Sequence, residues 1–137
     1  MRIIDATDHV LGRLSANVAK MLLNGEDVII INAEKSIITG NKYRIFETYM
    51  QKFKRGSVRK GPRFPRMPDR ILRRTVRGML PFYTPHGKNA YRRLKVYVGV
   101  PEGIDVSKAE KIEKAMYKKI KNKVTLSEVS RYLGAKF

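Results

Sequence analysis

Four consecutive residues, Val28-Ile29-Ile30-Ile31, constrain the fold more than any other part of the chain. An unbroken β-branched run without polar alternation is the mark of a strand buried on both faces. What precedes it is equally patterned. Arg2-Ile3-Ile4-Asp5 reads as a short strand. Leu11, Leu14, Val18, Met21 and Leu22 then fall on one narrow face at 3.6 residues per turn, with Arg13, Asn17 and Lys20 opposite. That spacing predicts a helix near 9–24. Asp8 stands at its N-cap position, and Gly25 where a left-handed C-cap is wanted. Strand, helix and buried strand form a βαβ unit, whose crossover should be right-handed.

Further along, Ser36-Ile37-Ile38 reads as a third strand, and a second helix is expected near 41–53, with Tyr43, Phe46, Tyr49, Met50 and Phe53 as its apolar face. Pro68 suits the first turn of a third helix near 69–80, which Pro81 ends. Leu94 to Val98 alternates and is rich in β-formers, giving a fourth strand closed by Gly99 and Pro101. The last third is expected to be helical, because Ser107…Glu110 and Thr125…Glu128 have capping-box spacing. Ala109, Ile112, Met116 and Ile120 would line the first of these helices. Val129, Tyr132 and Leu133 would line the second, with Gly134 as its stop. At 137 residues, 42% of them apolar, the chain is long enough for one domain with a real core. The expected organisation is a core over 1–101, with a basic extension at 54–67, and a helical C-terminal extension of the same domain over 102–137.

Charge is segregated along this chain. The first 47 residues carry six bases and six acids; residues 48–101 carry fifteen bases and one acid, Asp69; the last 36 carry nine bases and five acids. The middle stretch thus supplies +14 of the net +18. An excess so localised repels itself unless a polyanion neutralises it, and nucleic acid is the partner that fits. Without Cys there is no disulfide framework and no thiolate metal site, which suits a reducing cytosol. No apolar run reaches the length of a membrane span, and no signal-peptide core opens the chain, so the expected location is cytoplasmic.

Within the basic stretch, the third helix is the clearest candidate interface. Ile71, Leu72, Thr75, Val76 and Met79 occupy one half of it, and Arg70, Arg73, Arg74 and Arg77 the other. Solvated helix faces ordinarily mix signs, whereas this one is all Arg, the side chain whose planar fork suits phosphate. Residues 54–67 add Lys54, Arg55, Arg59, Lys60, Arg63 and Arg66 among Gly and Pro, with too few apolar residues for a core of their own. Phe64 in that stretch could anchor it to the body or stack on a base, and anchoring is the preferred reading. Residues 82–95 interleave aromatics, Gly and bases (His86, Lys88, Arg92, Arg93 and Lys95) in the texture of a loop approaching phosphates and bases. Lys42 closes Thr39-Gly40-Asn41-Lys42, a turn suited to an anion but too short for a P-loop. His86 is a poor metal ligand or general base, since the chain has just one other His, His9.

Six motifs in order carry a family resemblance: Asp5-Ala6-Thr7, Leu11-Gly12-Arg13-Leu14, Asn32-Ala33-Glu34-Lys35, Thr39-Gly40-Asn41-Lys42, Val76-Arg77-Gly78-Met79-Leu80-Pro81 and Leu94-Lys95-Val96-Tyr97. The series closely resembles the large-subunit ribosomal protein L-thirteen family over roughly residues 1–101. The short gap between Gly25 and Asn32 resembles the archaeal or eukaryotic branch, and Asp8 stands where bacterial members usually have Gly. The resemblance implies a three-layer α/β/α domain with a mostly parallel four-stranded sheet. It also implies residence on large-subunit rRNA among neighbouring ribosomal proteins, a role in subunit assembly, and no catalysis, cofactor or small-molecule substrate.

Two other classes compete. One is an RNA-modifying enzyme, or a non-ribosomal RNA-binding protein, on an α/β scaffold. Such scaffolds host many chemistries, and Asp5 at the end of the first strand is where they put ligand contacts. Two His, no Cys and few acids near the basic stretch weigh against an enzyme. The other is a membrane-surface protein using the third helix. Its apolar half lacks Trp and Phe and is better used in a core, so no membrane partner is expected.

Overall fold

A computed structural model describes residues 2–55, 64–117 and 122–137. It contains the βαβ unit: β1 (Arg2–Asp5), α1 (Leu11–Leu23) and β2 (Val28–Ile31). β1 and β2 are parallel, in register from Arg2 opposite Val28 to Asp5 opposite Ile31. All four β2 residues are buried. The elements that follow are β3 (Ile37–Thr39), α2 (Lys42–Lys54), α3 (Pro68–Gly78), α4 (Pro85–Arg92), β4 (Leu94–Val96), β5 (Lys123–Thr125) and α5 (Leu126–Tyr132).

The class is α/β with a mostly parallel sheet, but the four expected strands divide. β4 lies parallel to β2, giving a three-stranded sheet in the order β1-β2-β4. β3 instead pairs antiparallel with β5, Ile37 opposite Thr125 and Thr39 opposite Lys123. β5 comes from a stretch that reads as helical, so β3 has no visible partner in the sequence.

α1 ends as its glycine requires. Gly25 has φ 92°, its N–H donates to Leu22 O, and the Glu26 N–H donates to Met21 O. These two bonds satisfy the orphan carbonyls of the last turn. At the other end, Val10 is the N-cap and no side chain caps the helix, so Asp8 does not serve there. Asp8 has φ 60°, a left-handed conformation that glycine adopts freely and Asp tolerates.

The helix expected from Ser107 onward is absent from the described residues. The segment instead runs beside β1 and the turn after it. Glu110 N–H donates to Ile3 O at 2.7 Å, Asp5 N–H to Glu110 O at 3.1 Å, Val10 N–H to Ala115 O at 2.8 Å, and Tyr117 N–H to Asp8 O at 2.9 Å. β1 would otherwise leave one edge of the sheet without partners, and satisfying that edge outweighs a local capping signal. His9, fully buried, clamps the same segment. Its Nε2 accepts the Ile112 N–H at 2.9 Å, so its Nδ1 carries the proton and donates to Thr7 O at 2.9 Å. Burial holds this imidazole below its ordinary pKa, in the neutral form.

One apolar cluster unites the elements. Ile4, Val28, Ile30, Leu94 and Val96 of the sheet join Leu14, Val18 and Leu22 of α1 and Ile71, Leu72 and Val76 of α3, together with Ala90, Val124, Leu126 and Val129. α2 contributes Ile45, which the expected face omits, while Tyr43, which it includes, is 81% exposed. Phe46, Tyr49, Met50 and Phe53 are half-buried against the cluster, as expected. Thr125 is the N-cap of α5, its Oγ1 accepting the Glu128 N–H, with no return bond from the Glu128 carboxylate among the described residues, and the Gly134 stop forms with φ 99°.

Candidate nucleic-acid interface

The interface begins from the period of α3. Turning Ile71, Leu72 and Val76 into the core leaves Arg70, Arg73, Arg74 and Arg77 exposed on the opposite half, as the sequence predicts. Pro68 occupies the first turn, and Asp69 puts a negative charge where the helix dipole favours it. Among the described residues, carboxylates pair with Arg2 (Glu26 at 3.3 Å, Glu110 at 2.8 Å), and none lies within ion-pair distance of Arg70, Arg73 or Arg77.

Aromatic rings hold this row of guanidinium groups in place. Arg73 lies over Tyr91 at 4.6 Å, Arg74 over Phe64 at 4.9 Å, and Arg77 over Phe82 at 4.2 Å from the ring centres. Arg66 likewise covers Phe53 at 4.5 Å. A guanidinium held over a ring still has donors to offer a phosphate, and its rotamer freedom is already reduced. Phe64 is the anchor that the sequence favours: it also meets Tyr49 edge-on at 5.7 Å and packs on the core.

The ring beneath Arg73 comes from a helix where the sequence suggests a loop. Residues 85–92 form α4, with Pro85 in its first turn and the Thr84 hydroxyl accepting the Gly87 N–H. The Thr-Pro pair is the available signal, but the density of Gly, aromatics and bases hides it. Gly87 is required there, because a Cβ would fall on the Pro81 carbonyl. α4 places Tyr91 beneath Arg73 and leaves His86, Lys88 and Arg92 exposed.

Three clefts connect the cationic side chains. One of about 410 Å³ brings Arg70, Arg73, Arg92 and Lys95 together at the edge strand β4. Another of about 520 Å³ contains Arg74 and Arg77. A smaller one of about 210 Å³ joins Lys52 and Arg55 of the α2 end to Phe64 and Arg74. Lys52 is not among the sequence candidates; its place one turn before Arg55 on α2 is the signal that could have found it. Lys54 and Arg55 also border an aromatic groove with Tyr43, Phe46 and Tyr132.

Other candidates stand apart. Lys42 sits at the opposite end of α2, over Phe46 at 5.6 Å. The N-terminus of α2 is occupied by its own cap, since Asn41 Oδ1 accepts the Tyr43 N–H. Arg93 is half-buried and donates from Nη2 to Leu22 O at 2.6 Å, which caps the end of α1. Arg59, Lys60 and Arg63 lie outside the described residues.

Asp5, the residue of the rival enzymatic reading, is engaged in a turn. Its Oδ1 accepts from Thr7 N–H at 3.0 Å, Thr7 Oγ1 at 2.6 Å and Asn32 Nδ2 at 3.2 Å. Burial alone would raise its pKa, but these hydrogen bonds outweigh that and hold the carboxyl below its ordinary value. Among the described residues, no group of three His, Cys, Asp or Glu could hold a metal ion. Nor, among them, is any helix long and apolar enough to cross a membrane.

Comparison with known proteins places this geometry in a family. The family model for Ribosomal protein L13 matches residues 1–103. The chain is 56% identical over 135 residues to the large ribosomal subunit protein uL13 of Archaeoglobus fulgidus, covering 96% of this chain and 86% of that one. It is 51% identical to the protein of the same name from Methanococcoides burtonii and 48% identical to that of Methanocaldococcus jannaschii, in both cases over the whole of both chains. The match thus extends past residue 103 into the C-terminal segment that pairs with β1 and β3. The chain belongs to the ribosomal protein L13 family.

Proposed function

We propose that this chain is a structural constituent of the large ribosomal subunit, that it binds rRNA through a Lys/Arg-rich face, and that it supports subunit assembly in the cytoplasm. The observation that carries this reading is the α3 row of arginines, seated on aromatic rings beside a sheet edge in a stretch with one acid. The face runs from Lys54 and Arg55, through Arg66 and the four α3 arginines, to His86, Lys88, Arg92 and Lys95. Arg59, Lys60 and Arg63, outside the described residues, are further proposed contacts, and Lys42 is a separate contact. Arg93 acts through the fold by capping α1. Neighbouring large-subunit proteins are further partners; the reading involves no cofactor, substrate or catalytic step.

We further propose that residues 102–137 belong to the same domain as 1–101, because they supply the partner of β3 and the outer neighbour of β1. Sedimentation tests the functional reading. Tagged protein in a sucrose gradient should travel with the large subunit through a high-salt wash. Protein that stays at the top of the gradient refutes it.

A further inference from the structure

We propose that Tyr83 is a stacking platform for an unpaired nucleobase of the bound RNA, an inference that rests on the rRNA-binding reading and specifies what this part of the face recognises. Tyr83 is 93% exposed, more than any other large apolar or aromatic side chain among the described residues. Single exposed rings are common, but this one stands on a turn whose backbone is closed by hydrogen bonds. Between α3 and α4, Phe82 N–H donates to Leu80 O at 2.8 Å, and Thr84 donates to Pro81 O through both its N–H (3.0 Å) and its hydroxyl (2.8 Å). Gly87 closes directly on Pro81. The Tyr83 ring meets Phe82 edge-on at 6.3 Å and is otherwise open to solvent.

The ring borders the cleft of about 520 Å³ that it shares with Arg74, Arg77, Gly78, Leu80 and Phe82. That volume is within the range of small-ligand pockets, about 300–1,000 Å³. The Arg77 guanidinium lies over Phe82 at 4.2 Å, so a cation stands beside the ring, with no carboxylate within ion-pair distance among the described residues. A phosphate requires the charge but not the ring. A paired A-form duplex presents phosphates and groove edges but no open base face. A nucleotide turned out of its helix presents both a base to stack on Tyr83 and a phosphate for Arg77. The cationic surroundings, with Asp69 the sole acid over residues 48–101, favour this occupant over a peptide. Stacking on an aromatic face is tolerant of base identity, so the site selects an unpaired nucleotide rather than a sequence.

The test uses the full chain and three RNA hairpins: one fully paired, one with a single bulged adenosine, and one with an abasic bulge. The wild type should prefer the adenosine bulge by about ten-fold. Tyr83→Phe should keep that preference, and Tyr83→Ala should abolish it without changing the salt dependence. The proposal is overturned if Tyr83→Ala keeps the preference, or if the abasic bulge binds as well as the adenosine bulge. Weak, salt-insensitive binding of all three hairpins by the wild type would instead overturn the rRNA-binding reading. In assembled large subunits, a benzophenone side chain at position 83 should crosslink to rRNA. Its crosslinking to a ribosomal protein would show that a peptide occupies the cleft and would also overturn the proposal.

Discussion

Replacing Arg73, Arg74 and Arg77 together by Gln separates what this face does for RNA from what it does for the fold. Each guanidinium covers a ring, at 4.6, 4.9 and 4.2 Å. A cation over a ring at an exposed site contributes about 0.5–1 kcal/mol, so the triple change removes about 1.5–3 kcal/mol of contact. Three fewer positive charges on one face relieve self-repulsion and offset part of that loss. At this chain length the melting temperature should therefore fall by no more than about 10 °C, and unfolding should remain cooperative, because Ile71, Leu72 and Val76 still fill the core. RNA binding should change far more. If each arginine neutralises one phosphate, the log–log dependence of affinity on salt should become shallower by about 0.9 per residue, close to 2.7 in all. Anisotropy titrations of an rRNA fragment over a salt series, run beside chemical denaturation of the same samples, measure both quantities. An unchanged salt slope would refute the assignment of these arginines to phosphates. Loss of cooperative unfolding would show that the row serves the fold.

Other expectations follow from the packing. Gly87→Ala should destabilise the protein by about 3 kcal/mol or more in urea denaturation, because the new methyl meets backbone at Pro81 that cannot rotate away; a cost under about 1 kcal/mol would contradict that close approach. Stability should fall as pH drops below the ordinary histidine value of 6.5, because the unfolded chain then binds a proton that neutral, buried His9 resists. Asp5 acts in a separate window: its contribution is complete above 3.8 and is lost only as pH falls through its lower folded value. His9→Phe should lower stability at neutral pH by about 1–3 kcal/mol, through the unpaired Ile112 N–H and Thr7 carbonyl, and should flatten the profile between pH 6.5 and 5; an unaltered profile would place the titrating group elsewhere. Thr125→Ala should cost about 1 kcal/mol by removing the cap of α5, measured by thermal melting, and no change would mean that the cap is idle.

Where local forces decide, the residue order alone is sufficient. The β-branched run Val28–Ile31 can satisfy its side chains only inside a sheet, and β2 is buried at all four positions. The 3.6-residue period of α3 separates Ile71, Leu72 and Val76 from its arginines whatever lies around it, so the cationic face is legible from the spacing of those residues. Gly25, Gly134 and Thr125 act within one turn of their helices, and all three perform as their positions predict.

Choice of partner is decided by the tertiary structure. Ile37 to Thr39 has the composition of a strand, but nothing in it names Lys123 to Thr125 as its neighbour. Ser107 and Glu110 have helical spacing, yet Glu110 gives its backbone to Ile3 and Asp5, because an unpaired edge of β1 costs more than a short helix gains. α2 turns Ile45 inward and Tyr43 outward, since α5 and β5, distant in sequence, fix which side of it faces the core. The ring that seats Arg73 is Tyr91 of α4, and only the packed chain brings that ring under the α3 guanidinium. Periodicity and capping are properties of a few neighbouring residues, whereas pairing and packing depend on residues that only the folded chain brings together.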